Sequence, residues 1–323
     1  MATFGDISAT LAIGLVLSPL LTALTLLAAC FELVRAPCAR APPREVREPG
    51  VVLITGATSG LGVGLAKHFA RPGRTLLLTG RDEAKMAKTA AACVAKGAAV
   101  KSLAGNDLAT EAGRVALREW ARARDAEAPI DLVVANAGVD AATCGAPNKD
   151  DIADVTRRIF AINVDGAFAT AFAVLDAMRA RGRGQICLVG SLAGFAPLGG
   201  SAAYSASKAA LKTFGESLRW QLMRDGVRVN VVCPGYVDTE MVRAQSFKVS
   251  GALGVEESAA IIARGLARDT PVIAFPSNLL MMQWMSSALP PVVRDFVARN
   301  RLFGGAAGYM RPSRSKKDAA KTK

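Results

Sequence analysis

From Val51 onward the sequence alternates, and this alternation constrains the fold more than any other feature: short β-branched or leucine-rich runs are separated by alanine-rich stretches of helical character. VVLIT, TLLLTG, AVKSLAG, IDLVVANAG, QICLVGS and VRVNVVCPG read as strands, with a plausible last strand at Pro271–Pro276. Between them, helices are expected after Gly60, over DEAKMAKTAAACVAKG, near residues 110–124, in a long helix ending near Arg181, and after Ala203. Strands that are apolar along their whole length and alternate with helices belong to a parallel sheet covered on both faces. The expected fold class is α/β, a doubly wound Rossmann-like sheet forming one domain over residues 50–276. With 51% hydrophobic residues in 323, a disordered or fibrous chain is excluded.

The flanks read differently. Ile7 to Phe31 is 25 residues without a charge, about 37 Å as a helix against a hydrocarbon core of about 30 Å. Arg35, Arg40, Arg44 and Arg47 follow it and no Lys or Arg precedes it, so residues 1–34 are expected to be a membrane anchor with the main domain on the cytoplasmic side, at the endoplasmic reticulum or a similar membrane in a eukaryote. A cleaved signal peptide, a lipoprotein box at Leu27–Cys30 and a buried soluble helix are the competing readings of this segment. Residues 35–49, rich in proline and arginine, read as a linker. Residues 277–310 open with a charge-free stretch containing Trp284 and three methionines. It is too short to span a bilayer and is expected to be a lid, a dimer contact or a membrane-associating segment. Residues 311–323 form a basic tail.

Composition excludes several classes. The single histidine, His68, makes a Ser/His/Asp hydrolase or a multi-histidine metal site implausible, and no metal-ligand spacing is present. The six cysteines (30, 38, 93, 144, 187 and 233) form no C-x-x-C pair and fit buried thiols in a reducing compartment, although a Cys30–Cys38 bridge is sterically conceivable. The net charge of +13 lacks the aromatic interleaving of a nucleic-acid surface, so no nucleic-acid partner is expected.

The first strand runs into Thr55-Gly56-Ala57-Thr58-Ser59-Gly60-Leu61-Gly62, then a helix. Glycines at that place let a pyrophosphate reach backbone N–H groups at a helix N-terminus, where the dipole favours negative charge. At this point the chain resembles the short-chain dehydrogenase/reductase family. Its T-G-x-x-x-G-x-G motif is met by Thr55, Gly56, Gly60 and Gly62, followed in order by Asn136-Ala137-Gly138, Asn163, Ser191, Tyr204 with Lys208 in YSASK, and Pro234-Gly235 with Thr239. The resemblance implies an NAD(P)-dependent oxidoreductase with Asn163, Ser191, Tyr204 and Lys208 as catalytic residues. It implies a dinucleotide held by Thr55, Gly56, Ser59, Gly60, Leu61, Gly62, Asp107, Asn136, Ala137, Gly138, Tyr204, Lys208, Pro234, Gly235, Val237 and Thr239. It further implies that Lys208 binds the nicotinamide ribose, that Asn163 holds a water linking Lys208 to solvent, and that the chain forms a homodimer. For Asp107, adenine contact and helix N-capping are the two open readings.

Tyr204 and Lys208, four residues apart, share one helix face, and a cation there is expected to lower the phenol pKa toward a useful range. A phenol so tuned can give a proton to a carbonyl oxygen and take it back. At the end of the second strand, where an acid would bind a ribose 2′-hydroxyl, the chain has Gly80 and then Arg81, which favours NADP(H) over NAD(H). The expected reaction interconverts a ketone and a secondary alcohol on a hydrophobic substrate such as a lipid, steroid or retinoid. The alternative is a catalytically silent nucleotide-binding regulator or scaffold at a membrane.

Overall fold

The structure, a computed structural model, describes residues 48–148, 151–245 and 251–300. The expected anchor, most of the linker, Cys30, Cys38 and the basic tail lie outside the described residues. Strands β1 (Val51–Thr55), β2 (Thr75–Gly80), β3 (Ala99–Ala104), β4 (Leu132–Ala135), β5 (Gly184–Val189), β6 (Val227–Pro234) and β7 (Val272–Phe275) form one parallel sheet in the order β3-β2-β1-β4-β5-β6-β7.

Every residue of β1 and β4 is buried, which is why these strands read as unbroken apolar runs. Side chains of alternate residues reach opposite faces. Val52 and Ile54 pack with α1 (Gly60–Phe69), α2 (Glu83–Val94) and, later in the chain, Ile262 and Leu266. Val51 and Leu53 pack instead with Ala121 of α3 (Glu111–Glu127), Met178, and Leu211 and Leu218. At about 1.5–3 kcal/mol for each fully buried aliphatic side chain, the two layers supply most of the drive to fold.

The long helix expected before Arg181 is interrupted. It consists of α4 (Ile152–Phe160), a π-helical turn at Ala161–Asp165, α5 (Gly166–Phe172) and, after a break at Ala173–Val174, α6 (Leu175–Ala180). A π-turn inserts a residue into the ladder, and here it carries Asn163. The run Ile152–Ala180 is apolar and long enough to cross a membrane, but 67% of its most apolar window is buried inside the domain, as befits a core helix. Then come α7 (Ala202–Leu222), α8 (Glu240–Arg243), α9 (Val255–Ala267), α10 (Ser277–Ala288) and α11 (Pro291–Asn300).

The chain returns from the β3 edge to place β4 against the other side of β1, so helices leave those two strands in opposite directions. A crevice opens there at the carboxyl ends of the strands.

Candidate active site

Thr55 and Asn136 join the two strands at this crevice. Thr55 Oγ1 accepts the N–H groups of Asn136 (3.1 Å) and Ala137 (3.2 Å), and the Asn136 amide donates to the Thr55 carbonyl at 2.9 Å. Gly56 takes φ 69°, a region closed to most side chains, and a Cβ there would lie 2.9 Å from Ala137 Cα. A Cβ on Gly62 would sit 2.1 Å from the Gly56 carbonyl oxygen. Ser59, at the N-cap of α1, makes no side-chain capping bond, so its hydroxyl leaves the helix N–H groups open to an anion.

Further along the crevice, β2 ends at Gly80 as expected. A Cβ at Gly80 would lie 2.5 Å from Thr58 Cγ2, so an acid fits there only if the glycine turn moves. Arg81 is exposed, whereas Asp82 caps α2 by accepting the Lys85 N–H at 2.9 Å. Asp107 does not cap a helix; Thr110 caps α3 through the Gly113 N–H. Burial pushes the Asp107 carboxyl up, but the Ala109 N–H at 3.0 Å and the Arg158 guanidinium at 2.8 Å outweigh it and hold the carboxyl below its ordinary range. Beside it, the buried Asn106 amide nitrogen has no partner among the described residues. An anion-ready helix end, glycines whose side chains would fill the cradle and an orphaned donor at the expected adenine end suit a dinucleotide.

At the other end of the crevice lie Ser191, Tyr204 and Lys208. Ser191 follows β5, and its Oγ accepts the Ala193 N–H at 3.1 Å and donates to the Pro234 carbonyl at 3.4 Å, with the Tyr204 hydroxyl close by. Lys208 is 3% exposed and its Nζ donates to the Val189 carbonyl at 2.8 Å, 5.6 Å from the Tyr204 ring centre. A Cβ on Gly138 would lie 3.3 Å from that ammonium, so the glycine leaves room for it. Asn163 is fully buried. It accepts the Val139 N–H at 2.8 Å, and its amide donates to the Val139 carbonyl (2.9 Å) and to Ser207 Oγ (3.0 Å). Both amide hydrogens are used, so the Asn163 side chain fixes the loop after β4 and has none left to donate to a water.

The expected lowering of the phenol pKa needs correction. Burial pushes Tyr204 up to about 12; the Ser191 hydroxyl works against this, and the nearby Asp140 charge adds to it. Burial also pushes Lys208 down to about 8. Desolvation, and not the Lys208 cation, sets the direction of the Tyr204 shift. Burial likewise holds the Cys233 thiol up at about 12, so it is no thiolate nucleophile at neutral pH. Cys93, Cys144, Cys187 and Cys233 are buried and free. His68 is exposed at the end of α1, edge-on to Phe69, and takes no part in the site.

The sequence did not point to Asp140, Gln245 or Tyr236. Asp140 is 7% exposed, accepts Thr143 N–H (2.9 Å) and Oγ (2.7 Å), and is also bonded by Gln245 from the segment after α8. Tyr236 follows Pro234-Gly235 and is charge-coupled to Tyr204. The Asp140–Gln245 partners are 105 residues apart, and no local pattern announces them. Because a carboxylate beside Tyr204 disfavours the phenolate, Asp140→Asn is expected to lower the phenol pKa. The pH profile of alcohol oxidation, which uses the phenolate as base, then moves down by about half to one unit. An unmoved profile in a folded variant would show that Asp140 does not act on Tyr204. Thr239 completes the wall: it caps α8, and a Cβ on Gly60 would lie 2.9 Å from its Cγ2.

Comparison with known proteins decides the family. A family model described as short chain dehydrogenase matches residues 50–249. The chain belongs to the short-chain dehydrogenase/reductase family. It is 40% identical over 249 residues to an uncharacterized oxidoreductase of Myxococcus xanthus, covering 76% of this chain and 95% of that one. It is 30% identical over 231 residues to the ketoacyl reductase HetN of Nostoc, covering 70% and 78%. Among solved structures, a short-chain dehydrogenase from Sphingobium yanoikuyae in complex with NADPH aligns at TM-score 0.63 and 28% identity, over 82% of this chain and 98% of that one. This short-chain dehydrogenase/reductase is therefore an oxidoreductase of the NAD(P)-binding type.

Proposed function

We propose that this oxidoreductase interconverts a ketone and a secondary alcohol on a hydrophobic substrate with NADP(H), using Tyr204 as general acid and base. The observation that carries this reading is the grouping of Ser191, the half-buried Tyr204 and the buried Lys208 at the carboxyl end of the sheet, on the same crevice as the open N-terminus of α1. Two hydroxyls there can converge on one carbonyl oxygen. Ser191 donates to that oxygen and orients it; as the carbon accepts hydride, the Tyr204 proton passes to the oxygen, and oxidation runs the same steps backward. When bound, the reduced nicotinamide supplies the hydride. Its dinucleotide would be held by the glycine turn at its pyrophosphate, by Asp107 at the adenine end and by Lys208 at the nicotinamide ribose.

Gly80 and Arg81 support NADP(H): β2 ends in a glycine where an acid would bind a ribose 2′-hydroxyl, and the next residue is an exposed arginine that would suit a 2′-phosphate. The charge-free run over residues 7–31, followed by arginines, supports an anchor that would leave the domain on the cytoplasmic face of a membrane, and this motivates the choice of a lipid-like, steroid or retinoid ketone. The reading also includes a homodimer through the face carrying α7, where Trp220 and Met223 are exposed. The test is a kinetic comparison. Arg81→Ala is expected to raise KM for NADPH about tenfold with little change for NADH, and a long-chain ketone is expected to outperform its short water-soluble analogue. Equal losses with both cofactors would remove the NADP(H) assignment, and preference for the short ketone would remove the hydrophobic substrate.

A further inference from the structure

The helix after the last strand, α10, has two apolar faces. Its inner face sets Leu279 and Leu280 against Leu192, Val231 and Cys233, and Leu279 Cδ1 would lie 3.1 Å from a Cβ on Gly235. Its outer face presents Met281, Met282, Trp284 and Met285 to solvent, at 59, 49, 57 and 64% exposure, and Val292 at the start of α11 is 73% exposed. A soluble helix normally turns charge outward. Here no charged residue occurs from Ser277 to Val293.

We propose that the outer face of α10 and the start of α11 dock onto the headgroup region of an anionic phospholipid bilayer. Charge selects this occupant. From Arg294 to Lys323 the sequence holds nine basic residues against Asp295 and Asp318, beginning where the apolar stretch ends. Near an anionic leaflet each such charge adds an attraction that salt screens. A tryptophan among flexible methionines, followed by arginines, has the composition of an interfacial helix. A second copy of the chain fits less well, because a two-fold contact through this face would bring two basic tails of like charge together. A role in covering the reaction site belongs to the inner face, since Met281, Trp284 and Met285 turn away from Leu192 and Gly235. Docking would leave one helix diameter, about 10–12 Å, between lipid and the Leu192 wall next to Ser191. The inference concerns binding and stands independently of the reaction assigned above.

Tryptophan fluorescence tests it on the full chain, because the tryptophans are Trp120, Trp220 and Trp284 and none lies in residues 1–47. The protein is mixed with vesicles of phosphatidylglycerol and phosphatidylcholine with brominated acyl chains, which quench indoles at membrane depth. The expected result is quenching that weakens with salt, weakens in vesicles of phosphatidylcholine alone, and is mostly lost in Trp284→Phe. The double variant Met281→Glu, Met285→Glu, altered only at exposed positions, is expected to lose most of it too while melting at the same temperature. Quenching that survives Trp284→Phe and disappears in Trp220→Phe would overturn the proposal, as would no quenching at all. A Trp284 emission shift that follows protein concentration without lipid would assign the face to a second copy and overturn it as well.

Discussion

Replacing Tyr204 with Phe is expected to lower kcat for ketone reduction by about 10²–10⁴-fold, the range associated with losing a positioned general acid. NADPH affinity and the melting temperature should stay close to those of the parent. The separation of these effects follows from the contacts. The lost hydroxyl makes none of the bonds that hold Ser191, which keeps the Ala193 N–H at 3.1 Å and the Pro234 carbonyl at 3.4 Å, so the wall of the site persists. The ring still lies beside the Lys208 ammonium, whose own bond to the Val189 carbonyl is untouched. Lys208→Ala would be a poorer probe, since it empties a buried position and removes a cofactor contact together. Parallel losses of turnover and binding in Tyr204→Phe would mean that the phenol serves architecture more than chemistry. Unchanged turnover would leave a nucleotide-binding regulator as the better account.

Gly62→Ala is expected to have the other large effect. Its Cβ would stand 2.1 Å from the Gly56 carbonyl oxygen and 2.7 Å from Asn136 Nδ2, and the first of these is backbone, which can move only if the turn opens. Overpacking of this kind costs about 1–3 kcal/mol, and at about 2–4 °C per kcal/mol the melting temperature should fall by several degrees. The same opening should reduce NADPH affinity more than tenfold, because the amides at the start of α1 no longer converge on one pyrophosphate. Gly254→Ser is the matched control: nothing lies within 4 Å of a Cβ there, and a serine at the N-cap of α9 should be tolerated. Thermal melts and NADPH titrations of both variants decide the matter. A Gly62→Ala protein that binds as tightly as the parent would show that the turn is not the pyrophosphate cradle.

What could be read from the sequence follows from how local each feature is. The glycine spacing at 56, 60 and 62 is legible because close backbone approach leaves no other residue type. The end of β2 at Gly80 is legible because Asp82 is a capping residue three positions before the Lys85 N–H it accepts. The π-turn at Ala161–Asp165 is not, since a one-residue insertion in a helical ladder has no composition of its own. The cation beside the Tyr204 ring is visible in a four-residue spacing, but the desolvation that sets the phenol pKa, and the Asp140 charge that adds to it, depend on tertiary packing that no local pattern announces. Asp107 shows the same division: an Asp before a helix suggests a cap, and only the fold brings Arg158 to it from 51 residues away. The Asp140–Gln245 contact, which ties the segment after α8 to the loop after β4, is likewise a product of topology.

The proposed chemistry requires Ser191 and Tyr204 to act together on a carbonyl oxygen. The measurement that reaches it most directly is NADPH consumption by the detergent-solubilised full chain across ketones graded in chain length and ring number, with the alcohol quantified. Consumption is expected to depend on the ketone, with alcohol formed in step with the NADPH oxidised. NADPH that binds but is not consumed with any ketone in the series would contradict it.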